Sequence, residues 1–266
     1  MTVAAKTMAT KTIGLVGGLG WASTALYYRF INEAINTALG GVHSARIFLD
    51  SHDQNELATR QAAGDWDGIE RMLARSLERL ESAGADFAIV ACNTIHRVLD
   101  GASRGVKLPV LHIADVAGDA LVAAGRRRVA LLGTRVTMED GFYAERLCRG
   151  RDLTVLLPEA SERAWIGACI RSELIRGDVG PESVTAFVKL LAKLAARGAD
   201  AVLLACTELS LLRSAVMTSR SDHREGDACE SPLMYDSAAL HARAAAVYAL
   251  PTLAAAATVT SEPGAG

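Results

Sequence analysis

The chain contains two copies of one pattern, and that repeat limits the folds open to it. Gly84-Ala85-Asp86-Phe87-Ala88-Ile89-Val90-Ala91-Cys92-Asn93-Thr94 is echoed by Gly198-Ala199-Asp200-Ala201-Val202-Leu203-Leu204-Ala205-Cys206-Thr207-Glu208. The glycines and the cysteines each lie 114 residues apart (198 − 84 and 206 − 92). Upstream, Thr12-Ile13-Gly14-Leu15-Val16-Gly17-Gly18 is echoed by Arg128-Val129-Ala130-Leu131-Leu132-Gly133-Thr134, with an offset of 116 (133 − 17). A duplicated unit of this length predicts two similar lobes. If these face each other about a pseudo-twofold axis, the two cysteines reach one cleft from opposite sides. Such a cleft can remove a proton from one face of a carbon and return one to the other.

Short aliphatic runs alternate with longer helical ones, the signature of parallel βα units. The expected strands are 12–16, 45–49, 87–91 and 110–112, then 128–132, 154–157 and 201–205. Their unbroken apolar character suits strands buried on both faces. Asp67-Gly68-Ile69-Glu70 resembles a capping box opening a helix with Ile69, Leu73, Leu77 and Leu80 on its inner stripe. The counterpart helix follows Gly180-Pro181, with Val184, Val188, Leu191 and Leu194 expected inward. Both helices run into Gly-Ala-Asp, whose glycine suits a left-handed helix stop. Each cysteine therefore falls just past the carboxyl end of a strand, where open parallel sheets bind ligands.

The expected fold class is α/β: two pseudo-twofold-related lobes, each a mostly parallel sheet flanked by helices, with the active site in the cleft between them. The first lobe takes 11–109 plus 233–250, a short strand and an alanine-rich helix, and the second takes 110–212. A flexible loop is expected at 213–232, and disordered tails at 1–10 and 251–266.

Composition removes several classes of function. A net charge of −2 gives no electrostatic footprint for nucleic acid or for a membrane surface, and Arg126-Arg127-Arg128 reads as a solvated run before a strand. No apolar run reaches the ~20 residues that span a bilayer. Cys92, Cys148, Cys169, Cys206 and Cys229 make an odd count without tight spacing, against a disulfide framework and for a reducing, cytoplasmic compartment.

Cys92 and Cys206 are the expected catalytic residues. A single cysteine at a strand end is usually a small core hydrophobe; two at equivalent points, each followed by polar residues, are not. Each should sit near a helix start, where N–H groups and the helix dipole favour a thiolate and pull the thiol toward neutrality. Asn93, Thr94 and Thr207 offer donors for a carboxylate or oxyanion, and cap helices equally well. Gly17-Gly18-Leu19-Gly20 lacks the full dinucleotide spacing and no P-loop lysine follows, so a loop admitting a small anion is the better reading. His96 could form a Cys–His dyad with Cys92, but the second copy has Ser210 at that point, which favours local polar packing. No metal and no cofactor are assigned. Cys148 and Cys169 read as buried filler, and Cys229 falls in the expected loop.

These motifs resemble the aspartate/glutamate racemase superfamily from Lys11 to about Leu250. The resemblance rests on I-G-L-V-G-G-L-G-W-A-S-T (13–24), A-C-N-T-I-H (91–96), L-L-G-T (131–134), A-C-T-E-L (205–209) and Y-D-S-A-A-L-H (235–241). Within it the chain is similar to the aspartate racemase branch: Gly18-Leu19 and Cys206-Thr207-Glu208 stand where glutamate racemases carry Asp-Ser and Cys-Thr-His. Relatives sharing G-V-H-S-A (41–45) and L-L-G-T-R-x-T-M-E (131–139) include broad-specificity racemases, some with threonine in place of Cys92. The resemblance implies a cofactor-independent two-base racemisation, one cysteine acting as thiolate and the other as thiol. It also implies a homodimer, an amino-acid substrate, and a pocket lined by Leu19, Gln61, Asn93, Thr94, Thr207 and Glu208. A second carboxylate on the substrate would need a cation, for which Arg60 and Arg176 are the candidates; aspartate, glutamate or a neutral amino acid all stay open. The alternatives are hydantoin racemisation, maleate-type cis-trans isomerisation, and a non-catalytic small-ligand binding protein, which would not need a thiol in both copies.

Overall fold

The computed structural model describes residues 10–221 and 233–253 and places their strands in two parallel sheets. In the first, β1 (Ile13–Gly17) leads through α1 (Trp21–Leu39) to β2 (Ile47–Ser51). From there α2 (Gln54–Ala63) and α3 (Trp66–Ser82) return the chain to β3 (Phe87–Val90) on the other side of β1. The short α4 (Leu99–Ala102) and then α5 (Ile113–Ala123) follow. In the second sheet, β4 (Arg128–Gly133), α6 (Arg135–Glu139) and α7 (Phe142–Cys148) precede β5 (Thr154–Leu156). Helices α8 (Ala160–Ser172) and α9 (Pro181–Ala196) lead to β6 (Ala201–Ala205) and α10 (Leu209–Ser221). The order β2-β1-β3 thus recurs as β5-β4-β6, with β7 (Leu233–Asp236) added beside β6 and α11 (Ser237–Ala249) after it.

The two Gly-Ala-Asp triplets do the same mechanical work. Gly84 and Gly198 both adopt φ 87°, the left-handed region that stops a helix without a Cβ penalty. The backbone N–H groups of Ala85 and Ala199 then return to Leu80 and Leu194 of the preceding helices. Each aspartate caps the start of the neighbouring central strand: Asp86 accepts from the Thr12 N–H at 2.6 Å, and Asp200 from the Arg127 N–H at 2.8 Å. Helix end, strand start and sheet register are thereby tied together in each copy. The paired strands reach their ends level, with Val16 opposite Val90 and Gly133 opposite Ala205.

After each cysteine the chain visits a fourth position in its own sheet and then crosses to the other lobe. Val110 bridges Ala88 in the first sheet, and Met234 of β7 pairs with Val202, the duplicate of Ala88. From Val110 the chain enters α5, whose Ile113, Ala117 and Leu121 join the core of β4 and β6. From β7 it enters α11, whose Ala238, Ala242 and Ala245 join the core around Ile13, Leu15 and Tyr27. The lobes thus exchange helices, and α5 and α11 pack on each other between them. This corrects the expected partition at two points: β7 completes the second sheet although α11 serves the first lobe, and Val110 belongs to the first sheet.

Smaller differences follow local chemistry. Asp65, not Asp67, caps α3, its side chain accepting from the Gly68 N–H, while Ile69, Leu73, Leu77 and Leu80 are buried as expected. Helix α9 opens with Pro181 at its first turn, but its inner stripe is Phe187, Leu190, Leu191 and Leu194, with Val188 turned to solvent. Residues 213–221, expected in a loop, continue α10, with Leu212 and Val216 packed into the second lobe's core. Cys229, the remainder of that loop, and the tails at 1–9 and 254–266 lie outside the described residues. No helix among the described residues is long and apolar enough to cross a membrane.

Candidate active site

Both cysteines line one cleft of about 590 Å³ where the carboxyl ends of the two sheets meet. Cys92 is half-buried and Cys206 buried, and both are free thiols. With them the cleft is lined by Leu19, Gln61, Asn93, Thr94, Thr207 and Glu208 of the expected pocket.

Arg176 is not among them. In the single 3₁₀ turn Leu174–Arg176, successive side chains diverge: Leu174 enters the second lobe's core, Ile175 lines the cleft, and Arg176 stands in solvent 3.4 Å from Asp178. Arg60 is likewise spent elsewhere, on Asp65 at 2.7 Å and Glu56 at 3.1 Å. The cations on the cleft are Arg135 and Arg171, both exposed, and Arg135 is held by Glu139 at 2.8 Å.

The floor of the cleft is a set of hydroxyl and carboxylate contacts that sew the lobes together. Cys206 Sγ–H donates to Glu208 Oε2 at 3.0 Å, and Thr207 Oγ1–H donates to the same oxygen at 2.9 Å. With its own proton committed, Thr207 accepts from Ser23 of the first lobe at 2.5 Å. On the other side Thr94 meets Thr134 of the second lobe at 3.0 Å, and Thr134 caps α6 by accepting from the Thr137 N–H. Ser23 and Thr134 follow the central strands β1 and β4, and each touches a residue just after the opposite lobe's cysteine. The pseudo-twofold relation therefore extends to the hydrogen bonds of the floor. Asn93 is buried and accepts from Ser237 of α11 at 3.1 Å, which ties the Cys92 turn to the helix that crosses between lobes.

Burial decides the resting state of the thiols. It pushes Cys92 up to about 11; the Ile95 and Thr94 amides pull the other way but are outweighed, and the Glu208 charge adds to the rise. Cys206 is raised well above the ordinary thiol range by burial first, then by the charge and hydrogen bond of Glu208. The pull toward neutrality expected from the helix starts is present and loses to desolvation. The balance favours the protonated thiol at both positions near neutral pH.

One further expectation changes, and His96 packs locally as expected. Gly18 does not offer its N–H to an anion, because Thr24 Oγ1 accepts it at 2.9 Å; its φ of 73° and its close approach to the His52 backbone explain the glycine. His96 lies behind the cleft and forms no dyad: its Nδ1–H donates to the Cys92 carbonyl at 2.8 Å, and its ring packs edge-on against His112. Burial holds both imidazoles below their ordinary range, His112 down to about 3. Among the described residues no group of three or more His, Cys, Asp or Glu is placed to hold a metal ion.

Comparison with known proteins agrees with this architecture. Residues 16–245 match the Asp/Glu/Hydantoin racemase family. The broad specificity amino-acid racemase RacX of Bacillus subtilis (strain 168) is 24% identical over 207 residues, covering 74% of this chain and 86% of RacX. A candidate Asp/Glu racemase from Yersinia pestis shares 38% identity and superposes with a TM-score of 0.80 over 90% of this chain and 99% of its own. An aspartate racemase homologue from Pyrococcus horikoshii OT3 gives 30% identity and a TM-score of 0.71 over 88% and 97%.

Proposed function

The chain belongs to the Asp/Glu/Hydantoin racemase family, and from that premise and the cleft we propose that it is a cofactor-independent amino-acid racemase in which Cys92 and Cys206 are the two bases. The observation that carries the proposal is the pair of duplicated thiols lining one cleft, supplied by opposite lobes. One thiolate removes the α-proton, and the thiol across the cleft protonates the other face; the roles reverse for the opposite enantiomer.

Glu208 supports an amino acid over the other substrates of this family. Its carboxylate, on the cleft beside Cys206, suits a substrate ammonium, whereas a neutral hydantoin offers it no cation and maleate would add like charge. Docking an ammonium there also offsets the Glu208 charge, which adds to the dominant effect of burial on both thiols, so the substrate helps to make its own base. The hydroxyls of Thr94 and Thr134 and the turn amides then receive the α-carboxylate. A homodimer, implied by the resemblance, and a cytoplasmic location, read from the odd and widely spaced cysteines, belong to the same proposal.

Exchange of the α-proton in D₂O, followed over a panel of L- and D-amino acids after dialysis and chelation, tests the proposal. Exchange with inversion supports it. Activity lost on dialysis and restored by pyridoxal phosphate or a metal would overturn it.

Glu208→Gln tests the role given to the carboxylate. Burial still holds the thiols up, but the carboxylate charge that adds to it is removed, so their alkylation by iodoacetamide should titrate at lower pH than in the parent protein. Racemisation should nevertheless fall about 10- to 100-fold in kcat/KM, the loss of one charge-assisted hydrogen bond to the ammonium. An alkylation profile that does not move would show that Glu208 does not set the thiols.

A further inference from the structure

The cleft carries two kinds of wall. The floor is polar, as described, and fits the invariant ammonium and carboxylate of any α-amino acid. The wall beyond it is formed by Leu57 and Trp66 from the first lobe and Val136, Ile170 and Ile175 from the second. Leu57 and Ile170 are buried there, Trp66 and Val136 half-buried, and Ile175 stands at the mouth. The polar groups added from α2 are Gln54 and Gln61, which are neutral amides.

We propose that the substrate is an amino acid with a neutral, mainly apolar side chain of three or more heavy atoms, selected by Leu57, Trp66, Val136, Ile170 and Ile175. The proposal rests on the racemase reading of the same cleft and narrows it. Three observations favour it over a dicarboxylic amino acid. A side-chain carboxylate entering this wall would leave water without a buried cation to meet it, which is costly. The two cleft arginines are exposed, and Arg135 is already paired with Glu139; solvated pairs of that kind contribute little. Glu208 is matched by the substrate ammonium alone, so a second substrate carboxylate would leave the cleft with excess negative charge. The volume points the same way: about 590 Å³ leaves room beyond the floor for a side chain larger than that of aspartate. Each methylene buried on such a wall is worth about 10-fold or more in selectivity.

Racemisation and α-deuterium incorporation are measured for L-leucine, L-methionine, L-aspartate and L-glutamate. The expected result is a kcat/KM for leucine and methionine about 100-fold or more above that for aspartate and glutamate, the worth of two methylene-sized contacts. In Ile175→Lys, where a half-exposed position tolerates a long cation, the ratio should shift toward glutamate by about 10-fold, one carboxylate–ammonium contact. The circular-dichroism melt of this variant checks that it folds, and the parental panel decides alone if it does not. Preferred turnover of aspartate or glutamate by the parent protein overturns the side-chain assignment and leaves the racemase reading standing. Absence of exchange with every amino acid in the panel overturns both.

Discussion

Replacing either Cys92 or Cys206 by serine should lower racemisation about 10²- to 10⁴-fold, the range of a lost general acid or base. The two variants should not fail in the same way. Each thiol serves one face of the α-carbon, so a protein keeping Cys206 can still exchange the proton of the enantiomer facing it and inverts neither. Cys92→Ser and Cys206→Ser should therefore incorporate deuterium into opposite enantiomers. Glu208 sharpens the difference, since it accepts from Cys206 and has no counterpart hydrogen bond to Cys92. The resting preference should be for the proton to stay on Cys206 and for the thiolate to form at Cys92, where the Thr94 and Ile95 amides favour it. Mass spectrometry of each enantiomer after incubation in D₂O reads both effects. Parental racemisation rates in both variants would mean that neither cysteine is a base.

What was legible in the sequence is what repeats. The offset of 114 residues located both thiols and both helix stops, because each depends on a short stretch of chain that carries its own geometry. The echo at 116 also held Thr134 opposite Gly18, and with the twofold relation it could have marked the loop after β4 as part of the cleft. Contacts made across the lobes were not legible. Ser23 meets Thr207 and Thr94 meets Thr134 through separations of 184 and 40 residues, and no local pattern encodes which hydroxyls face one another. The elevated thiols belong to the same class, since desolvation depends on how two lobes close over a site. Arg60 and Arg176 lie off the cleft for a different reason: both sit in helical turns, where a shift of one residue turns a side chain through about 100° in the α-helix of Arg60 and about 120° in the 3₁₀ turn of Arg176. That rotation puts Ile175 on the cleft and Arg176 outside it. Helix α11 packs on α1 and the core around Ile13 and Tyr27, but β7, only four residues long, carries no marker of which sheet it joins.

Gly18 turns the chain from β1 toward the cleft with a left-handed φ and no room for a Cβ, and Gly18→Ala should be among the most damaging single substitutions in the chain. Its φ of 73° is left-handed, which costs a residue with a Cβ about 1–2 kcal/mol. A Cβ there would also fall on the backbone nitrogen and oxygen of His52 and crowd Ser51 Oγ, where no flexible side chain can yield. Overpacking of that kind adds about 1–3 kcal/mol. Gly84 provides the control, because its φ of 87° carries the backbone penalty alone and a Cβ would meet nothing within 4 Å. Gly84→Ala should lower the melting temperature by a few degrees, about 2–4 °C per kcal/mol for a chain of this size. Gly18→Ala should lower it two to three times as far, on the same scale of roughly 2–4 °C per kcal/mol. The damage is also functional. The strained loop sets Leu19 on the cleft and leads into the first turn of α1, from which Ser23 reaches Thr207. Gly18→Ala should therefore lose activity at temperatures where it is still folded, whereas Gly84→Ala should not. Equal melting shifts in the two variants would show that the loop can move away from His52, and that the cleft does not depend on its position.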